Sequence, residues 1–413
     1  MKVFLVGGAI RDKKLNLPIY DRDWVIEGAT PEELITKGFQ QVGKDFPVFL
    51  HNESHEEYAL ARTEHKLGHG YTGFITYFSP DVTIEQDLIR RDLTINAMAE
   101  SPNGTLIDPY GGLQDLNNKV LRHVSEAFRE DPLRVLRAAR FAARFAHLGF
   151  HIAPETMELM KQMITDNEIN HLTPERIWCE TKKALKTQNP QIYFQLLRDC
   201  GALAILLPEI DNLFGISMCK KLYPTIDMGI HALISLEIVA KITEEIDVRF
   251  ATLTCNLSNS LPHYQYCLPH HKNKYSEVSL IEMLCHRIRI PNSIRELAKI
   301  VSKYNNLLNN IEILEPEMLL ILFNSIDVWR KPKRLEQIIM IHKACIFGYT
   351  NTKDKIYSQG SYLRSAYKII QNISVRAVID EGFKGQQISK ELRRRHLSAL
   401  SQWKHDISSK NIY

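Results

Sequence analysis

The hydrophobic period of this chain changes near residue 120, and that change limits its architecture more than any other feature. Before it, short runs rich in β-branched and aromatic residues recur at Val3 to Val6, Trp24 to Ile26, Phe46 to Leu50 and Tyr58 to Ala61. Runs of this length and composition read as strands. Turn signals separate them, among them Gly7-Gly8, Gly28, Asn103-Gly104 and Gly111-Gly112. Beyond residue 120, segments such as 131–149 and 175–188 carry apolar residues at helical spacing, and convincing strand alternation is absent. Strands gathered at one end and helices at the other predict an α+β protein, an α/β head followed by an all-helical remainder. At 413 residues the chain is too long for one core, and three or four structural units are expected.

Composition adds a few exclusions. A hydrophobic fraction of 44% with 24% charged residues belongs to a globular chain and not to a disordered one. The formal charge of +4 is too mild to require or exclude a nucleic-acid partner. The cysteines, Cys179, Cys200, Cys219, Cys255, Cys267, Cys285 and Cys345, form no CxxC pair. Reduced thiols in a cytoplasmic protein are the simplest expectation. The N-terminal apolar run is too short for a secretion signal, and no stretch approaches the ~18 residues of a membrane span. A soluble chain with no membrane partner is expected.

Asp21-Arg22-Asp23-Trp24-Val25-Ile26 is the sharpest local feature. On a strand, Asp21 and Asp23 share a face while Arg22 points away. Two carboxylates so placed repel unless a cation joins them, and Mg²⁺ suits hard oxygen donors completed by water and phosphate. A solvated turn after Pro18 is the bland alternative. Upstream, Leu5 to Asp12 reads as a strand, two glycines and a helix start, where Gly8 lets backbone approach an anion and Arg11 reaches it one turn later. The pattern is neither GxGxxG nor a P-loop. In Arg90-Arg91-Asp92-Leu93-Thr94-Ile95-Asn96, the spacing of four predicts that Asp92 and Asn96 share a helical face. From Glu130 to Arg140, Arg134, Arg137 and Arg140 recur at steps of three, Asp131 neighbours Arg134 on the same helix, and Leu133 and Leu136 fall on the buried side. An intrahelical ion pair on a solvated face accounts for Asp131 and Arg134 taken alone.

Taken together, GGAIRD, DRDW, RRDLTINAM, DPYGGLQDL, EDPLRVLRAARF and TPERIWCE, in this order, resemble the bacterial class II CCA-adding enzymes, the tRNA nucleotidyltransferases, over essentially the whole chain. The resemblance implies a polymerase-β-like nucleotidyltransferase head over 1–120, a helical neck over 121–225, an HD-like helical domain over 226–330 and a tRNA-binding helical tail over 331–413. It implies that CTP and ATP are joined to tRNA 3′ ends without a nucleic-acid template, and that pyrophosphate leaves. Asp21 and Asp23 would hold catalytic Mg²⁺. Gly8, Arg11, Arg91, Arg137 and Arg140 would bind the nucleotide, and Asp131 with Arg134 would read its base. Cytosine and adenine both offer an amino donor beside a ring-nitrogen acceptor, which a carboxylate and a guanidinium match. Uracil and guanine leave buried polar groups opposed. Arg62-Thr63-Glu64 opens a glycine-rich stretch through Gly73 that resembles the loop switching C to A addition.

The resemblance is to the long gamma-proteobacterial multifunctional type, in which an HD phosphohydrolase follows the head. Here its ligands are eroded. His231 persists, but Cys255 and Asn256 stand where that type has His-Asp, and a later ligand segment reads Tyr304-Asn305-Asn306. Losing an imidazole and an anionic ligand weakens a divalent site steeply, so metal-dependent hydrolysis is expected to be absent. His231, His270 and His271 are then expected to be structural or exposed, a Cys255/His270/His271 zinc site having no support from spacing. Apolar faces carrying Ile281, Leu284 and Ile288 should remain buried. The basic run Lys390 to His396 is as well explained by a solvated helix face as by RNA contact. Competing functions are a poly(A) polymerase, which is expected to carry a strongly basic extension after the position of Trp403, a CC-only enzyme, against which the full loop after Arg62 argues, and a non-catalytic RNA-binding remnant, which intact head motifs disfavour.

Overall fold

The computed structural model describes residues 1–42, 48–66, 74–217, 227–257, 277–349 and 357–410. Its residues fall into two compact units, Met1–Pro208 and Glu209–Tyr413.

The first unit opens with strand β1 (Lys2–Val6), helix α1 (Gly8–Lys14), β2 (Asp23–Glu27), α2 (Pro31–Thr36), β3 (Gln40–Val42), β4 (Val48–Leu50) and β5 (Glu57–Leu60). A separate hairpin follows, β6 (Arg62–Lys66) with β7 (Phe74–Phe78), then α3 (Ile84–Leu88), β8 (Ala99–Glu100), β9 (Leu106–Ile107) and α4 (Gly112–Asn118). The seven-stranded sheet runs β3-β4-β5-β2-β1-β8-β9. β1 lies antiparallel to β2 and β8, whereas β2 and β5 are parallel.

Both sheet faces are covered, which is why the central strands read as unbroken apolar runs. Phe4, Val6 and Val25 enter one cluster with Leu88 and Ala97. Ile26 and Leu60 enter the other with Leu34 and Phe49, and Val3 packs against it. Period-2 alternation thus sends Val25 and Ile26 to opposite layers. α2 starts at a capping box formed by Thr30 and Glu33, and α3 at one formed by Thr83 and Gln86; each satisfies two otherwise orphaned end groups.

The remainder of this unit is largely helical. α5 (Leu133–Phe145), α6 (Pro154–Thr165), α7 (Pro174–Leu185) and α8 (Pro190–Asp199) follow, and α5 packs on α7 and α8. Ala138, Ala139, Ala142 and Ala143 of α5 are buried beside Leu136 and Phe145; the small side chains allow close approach, while Arg137, Arg140 and Arg144 are half-buried. Two minimal strands interrupt the expected all-helical character: Val120–Leu121 pairs in parallel with His151–Ile152. Strands of two residues are too short to leave an alternation pattern.

The second unit is helical. Met228–Ala240 packs on Lys333–Tyr349 and on Ile246–Leu253, which in turn packs on Asn292–Leu308. Ile281, Leu284 and Ile288 are buried, as their spacing predicts. Among the described residues no helix is long and apolar enough to cross a membrane.

Candidate functional site

A cleft of about 890 Å³ opens in the first unit, and every site residue singled out above lines it: Gly8, Arg11, Asp21, Asp23, Arg91, Asp131, Arg134, Arg137 and Arg140. Basic side chains outnumber acidic ones in the lining, because Arg62, Arg90, Arg144, Arg176 and Lys183 join them. Such a concave, basic cleft favours a polyanion.

Asp23 begins β2 and Asp21 lies just before it. Arg22 departs to the other side, 3.6 Å from Glu56, where the Trp24 indole also donates at 2.9 Å. Both aspartates are exposed to the cleft, and neither takes a side-chain hydrogen bond or ion pair among the described residues. Two free hard-oxygen donors lining one cleft fit a divalent cation such as Mg²⁺, with substrate oxygens completing its shell.

Gly7 links β1 to α1 at φ 68°, and a Cβ there would stand 2.9 Å from Arg91 Nη1. The positive φ is what favours glycine at Gly7, since the Arg91 side-chain tip could shift away from a Cβ. At Gly8 an added Cβ would meet Arg11 at 3.4 Å, a milder constraint. Arg11 is almost fully buried: its guanidinium donates to Asp12 at 2.8 Å and to Asn96 Oδ1, and lies 5.1 Å from the centres of the Phe141 and Phe145 rings. Asp12 also accepts from Arg144 at 2.9 Å.

Asp92 and Asn96 do meet, but not on a helix. Asp92 occupies a bend and Thr94–Asn96 is a single 3-10 turn. Asn96 Nδ2 donates to Asp92 Oδ1 at 3.0 Å, the Leu93 N–H donates to the same oxygen at 2.8 Å, and Arg137 binds the other oxygen at 2.7 Å. Burial works to raise this carboxyl, yet the Arg137 charge and these hydrogen bonds outweigh it and hold Asp92 well below the usual carboxylate range. The fully buried Asp87 similarly gathers Arg90 at 2.6 Å, Arg91 at 3.2 Å and the Arg62 N–H at 3.4 Å.

Two expectations at the α5 entry are corrected. Asp131 is not on the helix; its backbone is extended (φ −120°, ψ 107°), and its Oδ1 accepts from the Leu133 N–H at 3.0 Å. Pro132 sets this geometry, since the residue before proline avoids helical φ/ψ. Leu133 is only half-buried and lines the cleft, whereas Arg134 is buried. Burial of that arginine is offset by main-chain acceptors: its Nη1 donates to the Ala127 carbonyl and its Nη2 to the Arg90 carbonyl, both at 2.6 Å. Arg140 pairs with Glu180, and Arg176 with Asp131 at 2.8 Å. Sequence reasoning read Gly7 only as one of two turn glycines, and assigned no role in the site to Asp12, Asp87, Arg144, Arg176 or Glu180. The spacing of Asp87 to Arg90 and Arg91, three and four residues, was a readable signal.

In the second unit, the residues read as eroded ligands come together as a hydrogen-bonded core. His231 is fully buried; its Nε2 donates to the Cys345 carbonyl at 2.9 Å, and its Nδ1 accepts from Asn256 at 3.0 Å. Asn256 Oδ1 accepts from Asn305 at 3.1 Å, and the Cys255 and Cys345 thiols touch at 3.2 Å. Burial pushes the His231 imidazole down to about 4. No group of three or more His, Cys, Asp or Glu suited to a metal occurs among the described residues. His270, His271 and the stretch from Leu67 through Gly73 lie outside the described residues. In the basic run, Arg393 pairs with Glu317, Arg394 with Glu391, and Arg395 with Glu381 and Glu391, so those arginines already have carboxylate partners.

The fold is that of a polymerase-type nucleotidyltransferase head with a helical C-terminal region. Residues 3–122 match the family model described as the poly A polymerase head domain. Residues 149–214 match a model described as a probable RNA and SrmB-binding site of polymerase A. Among solved structures, the apo form II of a CCA-adding enzyme is similar at TM-score 0.66 and 21% identity, over 97% of this chain and 88% of that one. The Bacillus stearothermophilus CCA-adding enzyme in complex with CTP is similar at TM-score 0.61 and 21% identity, over 99% and 94%. The Thermotoga maritima CCA-adding enzyme complexed with tRNA is similar at TM-score 0.61 and 21% identity, over 97% and 87%.

Proposed function

We propose that the chain is a CCA-adding tRNA nucleotidyltransferase, which extends and repairs tRNA 3′ ends from CTP and ATP with Mg²⁺. The observation that carries this reading is that one cleft gathers two free aspartates, a row of arginines, and both Asp131 and Arg134. Similarity to structures of CCA-adding enzymes with CTP, ATP and tRNA supports the choice of substrates.

Asp21 and Asp23 would hold the divalent metal, which when bound supplies Lewis-acid stabilisation of attacking and leaving oxygens. Arg91, Arg137 and Arg140, with Gly8 and Arg11 at the start of α1, would receive the triphosphate. Their carboxylate partners Asp87, Asp92 and Glu180 keep the guanidiniums ordered before substrate arrives, so less freedom is lost on binding. The base would be read by the Asp131 carboxylate as acceptor and the Arg134 guanidinium as donor.

Residues 1–120 would form the transferase head, 121–225 the neck, 226–330 a degenerate HD-like domain and 331–413 the tail. Neutral Asn256 and Asn305 around His231 favour a structural core over a hydrolase centre. The test is pyrophosphate release per tRNA lacking its terminal CCA. Release that stops at three per tRNA with CTP and ATP supports the proposal; unlimited release with ATP alone indicates poly(A) synthesis.

A further inference from the structure

We infer that Arg176 is a positioning residue for base selection: it fixes the orientation of the Asp131 carboxylate that faces the incoming nucleobase. The inference rests on the functional reading above and adds a residue from a different helix to it.

An ionised carboxylate has about four acceptor directions on two oxygens. At Asp131 one direction on Oδ1 is taken by the Leu133 N–H at 3.0 Å, and one on Oδ2 by Arg176 Nη2 at 2.8 Å. Two separate anchors on two oxygens stop rotation of the carboxylate plane, and they leave the remaining lone pairs available in defined directions. With the Leu133 anchor alone, the plane turns freely about that one bond. Selection between an amino group and a carbonyl depends on where those lone pairs point, so this rotation degrades selection before it degrades binding.

The anchor itself is rigid. Arg176 stands in the first turn of α7, whose N-terminus is set by Pro174 and whose Ile177 and Trp178 are buried. One turn further, the buried Glu180 accepts from Arg140 of α5. The pairs 131–176 and 140–180 therefore tie α7 to α5 and its entry at two heights, which fixes their register as well as the carboxylate. Arg176 also lines the cleft, so it acts at the edge of the reading site and not from a distance.

The experiment compares wild type, Arg176→Ala and Arg176→Lys for kcat and KM with each of CTP, UTP, ATP and GTP on tRNA lacking its terminal nucleotides. The expected result for Arg176→Ala is a fall of roughly tenfold or more in the CTP-over-UTP ratio, the scale of one lost charge-assisted hydrogen bond. Arg176→Lys, which keeps a cationic donor, should recover most of the ratio. An equal loss of kcat/KM for all four nucleotides with unchanged ratios would overturn the inference, because a residue that only supports the fold or the triphosphate lowers all four alike. If the alanine variant does not fold, a lysine variant that selects no better than a neutral Arg176→Met variant overturns it as well. A wild type that adds no nucleotide to tRNA overturns the functional reading and this inference together; a selective wild type with an equally selective alanine variant overturns the inference alone.

Discussion

Replacing His231 by glutamine should remove roughly 3 kcal/mol of the stability that the second unit loses on acidification. His231 is buried without solvent access, and burial lowers its pKa to about 4. His342, also buried and placed between the Tyr357 hydroxyl and Asn309, is lowered to about 4 by the same cause. In the unfolded chain each imidazole titrates near 6.5. Above pH 6.5 both states are neutral, and the shift costs nothing. As pH falls from 6.5 toward 4, the unfolded state takes up protons that the folded state refuses, so stability is lost across that window and levels off below it. At about 1.4 kcal/mol per pH unit, each histidine removes roughly 3 kcal/mol, and the pair roughly 6 kcal/mol. That is a large share of a typical folding free energy of ~5–15 kcal/mol. Glutamine offers one donor and one acceptor for the Cys345 carbonyl and Asn256, at a shape cost of about 1–2 kcal/mol. The assay is urea unfolding from pH 7.5 to 4, followed by Trp329 and Trp403 in a chain with Trp24 and Trp178 replaced by phenylalanine. Wild type should lose roughly 3 kcal/mol more than His231→Gln across that window, and the two curves should cross on the acid side of pH 6. Parallel curves would refute the account of His231 as a neutral, buried core group.

Three further outcomes follow from the same geometry. Asp21→Ala and Asp23→Ala should each abolish nucleotide transfer yet change stability by less than ~0.5 kcal/mol, since both side chains are exposed and unpaired among the described residues; thermal unfolding alongside activity checks both halves. Asp131→Ala should erode rejection of UTP and GTP more than it weakens metal binding, and unchanged nucleotide preference would remove Asp131 from base reading. Purified protein should hydrolyse neither phosphomonoesters nor cyclic nucleotides with added nickel or magnesium, and stimulated hydrolysis would mean that a metal site has been rebuilt around residues other than Asn256.

The sheet was legible because its central strands are covered on both faces, which turns them into apolar runs that local reading catches at Val3 to Val6 and Tyr58 to Ala61. The cleft was legible because its charged residues lie in short, unusual clusters. What failed was conformation inferred from spacing. A separation of four suggested a helix for Asp92 and Asn96, but a bend followed by a 3-10 turn brings the same two atoms to 3.0 Å. Taken alone, Arg134 reads as one half of an intrahelical ion pair with Asp131 on a solvated face. Its burial depends on carbonyls of Ala127 and Arg90, the second of them 44 residues away, and no local pattern carries that information. Arg176 was visible inside TPERIWCE, but its partner Asp131 is 45 residues upstream, so only the packing of α7 beside the α5 entry reveals the pair.

The most direct test is extension of a tRNA lacking its CCA end, resolved to single nucleotides, with Mg²⁺ and CTP, ATP or both. The account predicts a ladder that stops after two additions with CTP alone and after a third when ATP is also present. A long ladder from ATP alone, or tight tRNA binding with no extension, would contradict it.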